Sequence, residues 1–129
     1  MANPNIVSVA TILGGNAGWN LSTGLTTELL SVTAEYVVKI NRIVCTNVHA
    51  TDAANLSLYV GGMGSGTTGV SVTGGDATVY LAKVISVPAN ASLVVLDTPI
   101  YLMELDTLNG GSSAASSLDL FITYETLID

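Results

Sequence analysis

Three groups of residues in this sequence hold the side-chain types that catalysis or ligand binding needs. The first is Cys45, His49 and Asp52, within eight consecutive positions. A thiol, an imidazole and a carboxylate make a nucleophilic site when the imidazole orients the nucleophile and the acid orients the imidazole. Cys45 is the only cysteine and His49 the only histidine. Cys45 lies in an apolar run, has no partner for an internal disulfide, and is expected to pack as a small core side chain. His49 and Asp52 then read as an exposed, Asp-capped turn. No nucleophile-elbow pattern surrounds any of the serines. A metal site wants several converging imidazoles, thiolates or carboxylates, and one histidine does not supply them.

The second group is Glu104 and Asp106, which alternate with Met103, Leu105 and Thr107. On a strand or hairpin both carboxylates would share a face, where they could hold a calcium ion or work on a sugar. The simpler expectation is a solvated rim or an interface pair. The third is Gly64-Ser65-Gly66-Thr67-Thr68-Gly69, which matches the dinucleotide-binding pattern G-x-G-x-x-G. That chemistry needs a helix N-terminus to hold a pyrophosphate. Val70-Ser71-Val72-Thr73-Gly74-Gly75 follows, which does not open a helix, so glycine abundance accounts for the match. Asn20, Asn55 and Asn90 each begin an N-x-Ser triplet, as chance provides in a chain rich in Ser, Thr and Asn. No catalytic residue, cofactor or metal is expected, and the chain reads as a non-enzyme.

The elements that must position these residues are strands. Ser117 to Glu125 alternates strictly, with Leu118, Leu120, Ile122 and Tyr124 on one face. That is the period of a half-buried strand, and Phe121 is the exception on its polar face. Asn5–Leu13, Thr27–Thr33, Tyr36–Val48, Asn55–Val60, Ala77–Val87, Ser92–Leu96 and Ile100–Met103 are similarly rich in Val, Ile, Leu, Thr and Tyr, which suit a pleated surface. Turn-formers separate them, among them Gly14-Gly15-Asn16, Pro88-Ala89-Asn90 and Asp97-Thr98-Pro99. Lys39, Asn41 and Arg42 fall on both faces of their strand, so a bulge near Asn41 is expected to shift its register. Gly61 to Gly75 holds seven glycines and reads as a long loop in which Val70–Val72 pairs briefly. Leu108 to Ser117 reads as a Ser/Ala/Gly loop. Asp119 and Glu125 fit the protection of a sheet edge. Tyr36, Tyr59, Tyr80, Tyr101 and Tyr124 recur about once per hairpin, with no other repeating type. Seven to nine short strands in one domain over 1–129 give an all-β sandwich, jelly-roll-like. Residues 1–26 would supply an N-terminal strand and loop that reach a neighbour.

Composition bounds the function. Of 129 residues, 49% are hydrophobic and only 10% charged, with ten acids against three bases and a net charge of −7. Lys39, Arg42 and Lys83 are the only cations, too few to neutralise a nucleic-acid backbone. No apolar run approaches the length of a membrane-spanning helix, and Met1 to Thr27, although uncharged, lacks the basic start and apolar centre of a signal peptide. The mean hydropathy of +0.58 is high for a protein alone in water. A fold with so few charges is expected to present apolar patches that other copies or a partner cover. Trp19, Met63 and Phe121 are the candidate interface anchors.

Two stretches carry a family resemblance. Lys39-Ile40-Asn41-Arg42-Ile43-Val44-Cys45-Thr46-Asn47-Val48, followed by Asp52-Ala53-Ala54-Asn55-Leu56-Ser57-Leu58, resembles small virion structural proteins of tailed bacteriophages, of the cyanophage and marine-phage type. So does Tyr80 through Leu96, continuing over Pro99-Ile100-Tyr101-Leu102 and Glu104-Leu105-Asp106 to Thr123-Tyr124-Glu125. The likeness spans roughly residues 36 to 125 and departs from the family at Gly61 to Gly75. It implies a role in a virion: a head decoration or cement protein, forming a homo-oligomer such as a trimer and bridging major capsid subunits. A neck, tail or baseplate component is the alternative within the same particle. A lectin-like glycan-binding module, with calcium at Glu104 and Asp106, is the alternative of another class.

Overall fold

The computed structural model describes residues 11–62 and 78–128. Met63, the Gly64–Gly69 pattern, the Val70–Val72 pairing and residues 5–10 of the strand expected at Asn5–Leu13 lie outside the described residues. Nine strands follow one another: β1 (Thr11–Asn20), β2 (Glu28–Ser31), β3 (Tyr36–Asn47), β4 (Ala54–Gly61), β5 (Val79–Val87), β6 (Ser92–Leu96), β7 (Ile100–Leu102), β8 (Thr107–Ser112) and β9 (Leu118–Ile128). They form two antiparallel sheets. The first runs β1-β9-β3-β6, with β7 also on β3; the second runs β2-β8-β4-β5. The inner faces share one apolar core, so the fold is an all-β sandwich.

Alternation builds that core. On β9, Leu118, Leu120 and Ile122 are fully buried, and β4 contributes Ala54, Leu56, Leu58 and Val60. On β3 the parity changes partway: Val38 and Ile40 point inward, then Ile43, Cys45 and Asn47. The β3–β9 register shifts between Ile40 and Arg42, leaving Asn41 as the extra residue. This is the expected bulge, and it keeps Lys39 and Arg42 on the outer face while Val38, Ile40, Ile43 and Cys45 stay inside. Each such buried Leu or Ile contributes about 1.5–3 kcal/mol relative to exposure.

Two segments with the composition of turns or loops are strands. Gly14-Gly15-Asn16 lies inside β1, which pairs with β9 over ten residues without a register shift. The reason is Tyr124. A Cβ at Gly15 would sit 2.6 Å from the Tyr124 ring, so the aromatic side chain occupies the space that a side chain on β1 would need and shields the glycine backbone. Likewise Leu108–Ser112, the first half of the expected Leu108–Ser117 loop, belongs to β8, a central strand between β2 and β4. Its glycines permit close approach: a Cβ at Gly110 would overlap the Ser57 carbonyl oxygen, and one at Gly111 would meet the Ser22 carbonyl oxygen at 2.7 Å. β9 is flanked by β1 and β3, so Asp119 and Glu125 stand on the outer face of a central strand and do not guard an edge.

Candidate interaction surface

The chemical groups are drawn into structural roles. Cys45 is fully buried on β3, opposite Leu120 of β9 and Leu93 of β6. Desolvation by burial, with a smaller contribution from the Asp119 carboxylate, pushes its thiol up from 9.0 to about 11. The thiolate that nucleophilic chemistry requires is therefore disfavoured at neutral pH. Between pH 9 and 11 the unfolded chain releases the thiol proton and the folded chain keeps it. Stability conferred by the neutral thiol is complete below pH 9 and is lost as pH rises towards 11, by about 2–3 kcal/mol. Chemical denaturation of the wild type and of Cys45→Ala across pH 8–11 should show this extra alkaline loss in the wild type alone.

His49 caps its own turn. Its Nδ1 accepts hydrogen bonds from the backbone N–H groups of Thr51 (3.2 Å) and Asp52 (3.0 Å), which assigns the ring proton to Nε2, 3.9 Å from the Asp52 carboxylate. The imidazole, and not Asp52 as expected, is the capping group. Asn47, which sequence reasoning passed over, is the centre of this corner. Its side chain is buried, donates to the carbonyls of Val87 (2.9 Å) and Asp52 (3.0 Å), and accepts from the His49 N–H (2.8 Å).

Glu104 and Asp106 do not alternate along a strand. They belong to the turn between β7 and β8, where Asp106 is buried and accepts from the Met103 N–H at 3.0 Å. Glu104 accepts from the Glu35 N–H at 2.8 Å, tying this turn to the one before β3. The expected shared face is thereby corrected, and with it the solvated rim for buried Asp106: each carboxylate satisfies a different backbone donor. Among the described residues no three His, Cys, Asp or Glu side chains converge as metal ligands. The cleft at one end of the sandwich is lined by Leu30, Val32, Tyr36, Val38, Tyr124 and neighbouring Ser and Thr residues, and none of these is a carboxylate, imidazole or amine.

What the fold presents outward is a set of rows across the first sheet. Residues opposite one another in register share a face, so the rows can be followed from β1 to the far edge. Asn20, Asp119, Thr46 and Ser92 make a polar row, joined by Asn20–Asp119 (2.8 Å) and Thr46–Ser92 (2.9 Å) hydrogen bonds. Next to it runs an apolar row of Gly18, Phe121, Val44 and Val94, with Phe121 47% and Val94 44% exposed. A charged row of Glu125, Lys39 and exposed Tyr101 lies further along. Phe121 is thus exposed, as expected from its place on the polar face. Val44 and Val94 join it only because the Asn41 bulge turns Val44 outward, a signal visible in sequence once the bulge is accepted. Trp19 instead stands opposite buried Leu120 and packs half-buried against the core. On the second sheet, Tyr80 is 47% exposed, tilted against Tyr59 at a ring separation of 5.3 Å, with Lys83 Nζ 5.0 Å from its ring centre.

No known protein family, curated protein or solved structure matches this chain.

Proposed function

We propose that this protein is a structural component of a tailed-phage particle, most specifically a head decoration or cement protein. It acts as a symmetric homo-oligomer, such as a trimer, that binds across joints between major capsid subunits and resides in the virion. The observation that carries this reading is the apolar row of Phe121, Val44 and Val94 on an open sheet face, on a molecule whose thiol, imidazole and turn carboxylates are engaged in holding the fold. Apolar surface of this kind is covered in assemblies. The strand order supports a jelly roll. With β6 and β7 taken as one strand broken at Asp97–Pro99, each sheet has four strands, and the chain passes repeatedly between them. Many copies binding only the assembled shell would stabilise it by mass action, while the acidic charge would keep free subunits soluble.

Virions lacking the protein are expected to break at lower temperature than complete ones, and adding back purified protein should restore the difference. Particle disruption followed by dye access to the genome measures this. A chain absent from intact particles, and monomeric at high concentration, would overturn the proposal. High copy number in purified particles supports the head; low copy number supports the neck, tail or baseplate. A lectin-like role is favoured by one observation only, the exposed Tyr80 with Lys83 beside it, and glycan-array binding lost in Tyr80→Ala would support it.

A further inference from the structure

The sandwich has four open sheet edges among the described residues, and three of them carry devices that discourage pairing with another chain. β2 is four residues long, begins with Glu28 and is bulged against β8. β5 is bulged twice against β4, carries Lys83, and holds Val84 in the left-handed region at φ +53°. At that bulge the Val84 N–H turns to the Ser57 hydroxyl (3.1 Å). The remaining edge of the first sheet is divided between β6 and β7 by a stretch that contains Asp97 and Pro99. Short length, bulges, charge and proline are the standard means of blunting an edge.

β1 has none of these. It is ten residues long, contains no charge and no proline, and keeps unbroken register with β9. Its other edge meets no strand among the described residues. Ile12 and Leu13 are 45% and 52% exposed at its start, whereas Ala17 and Gly18 near its end have little or no side chain. We infer that β1 pairs antiparallel with β1 of a second copy of this chain, across a two-fold axis at Gly15, joining two five-stranded sheets into one. This pairing sets Ile12 opposite Gly18 and Leu13 opposite Ala17, so large side chains meet small ones on the same face. It also brings Ile12 beside Phe121, because Gly18 already stands opposite Phe121 and a Cβ there would be 3.8 Å from its ring. The absence of charge on β1 permits this partner. Two copies at −7 repel, and this strand is an uncharged surface on which they can meet with backbone hydrogen bonds.

The inference rests on the homo-oligomer part of the proposed function and not on the phage particle. A two-fold contact gives a dimer, or pairs trimers into a hexamer; a cyclic trimer alone does not contain it. The test is Gly14→Lys. Nothing lies within 4 Å of a Cβ at Gly14, so the substitution leaves the subunit intact while placing two ammonium groups near the proposed axis. Ala115→Lys, in an exposed turn, is the charge control. Sedimentation across a concentration series should show wild type and Ala115→Lys forming the two-fold assembly. Gly14→Lys should dissociate with a Kd at least tenfold higher. Hydrogen exchange should show β1 amides protected in the assembled form and released in Gly14→Lys. If the wild type assembles but Gly14→Lys matches it in size and protection, or if only a cyclic trimer forms, the β1 pairing is wrong and the homo-oligomer reading survives. A wild type that stays monomeric throughout overturns both.

Discussion

Asn47→Leu should lower the stability of the folded chain by about 3 kcal/mol. The side chain is 1% exposed and satisfies three backbone groups from three places: the carbonyl of Val87 at the end of β5, the carbonyl of Asp52, and the N–H of His49. Leucine has the same branched shape with as many side-chain heavy atoms, so no cavity opens and the loss is chiefly that of hydrogen bonding, with some crowding from the bulkier methyl groups. Each buried polar group left without a partner costs about 1–3 kcal/mol. Asp52 and His49 can recover part of that through water, whereas the Val87 carbonyl, at a buried residue, cannot. Asn47→Asp should be worse at neutral pH, because a carboxylate would face two carbonyl oxygens. Equilibrium urea denaturation of the three proteins measures both differences. Amide exchange in the 48–53 turn should rise first, since that turn hangs on the Asn47 side chain. An Asn47→Leu protein as stable as wild type would show that the corner is held by the His49 cap and the Asn47 N–H to Ala91 carbonyl bond (2.8 Å) without the amide.

Gly110→Ala should have a comparable or larger effect from one added methyl group, a loss of about 3 kcal/mol or more. The obstacle is backbone: the new Cβ would overlap the Ser57 carbonyl oxygen and crowd the Leu58 Cα at 3.0 Å. Neither can move without opening the β4–β8 ladder, which runs from Leu56–Ser112 to Gly61–Thr107. The informative comparison is Gly14→Ala, the same chemical change at a glycine of β1 with nothing within 4 Å. There the methyl meets open space and reduces the freedom of the unfolded chain, so a gain of about 0.4–1 kcal/mol is expected. Thermal unfolding of the two variants should move in opposite directions. Equal, small effects would mean that β8 has room the geometry does not show.

Much of the architecture was legible because period-two alternation survives without knowledge of neighbours. Leu118, Leu120 and Ile122 announced their burial, and the polar residues on both faces of β3 required the bulge that stands at Asn41. The glycine-containing strands were not legible. Gly14-Gly15-Asn16 and Asn109-Gly110-Gly111 have the composition of turns, and what makes them strands lies elsewhere in the chain: the Tyr124 ring over Gly15, and the Ser57 and Ser22 carbonyls against Gly110 and Gly111. Glu104 and Asp106 misled for a related reason. Their spacing suits one face of a strand, but Leu105 adopts φ +68° between them. The resulting turn sends each carboxylate to its own N–H donor.

By itself the sequence determined the class of fold, the burial of Cys45 and the shortage of charge, since these depend on residue type and alternation along a single strand. Only the tertiary structure decided that β9 is central, that Phe121, Val44 and Val94 form one row, and that among the described residues β1 is the edge strand without bulge, charge or proline. Those are properties of which strands lie side by side. Pairing between residues far apart in the chain is chosen by packing and register across the whole sandwich, and no local stretch of sequence encodes it.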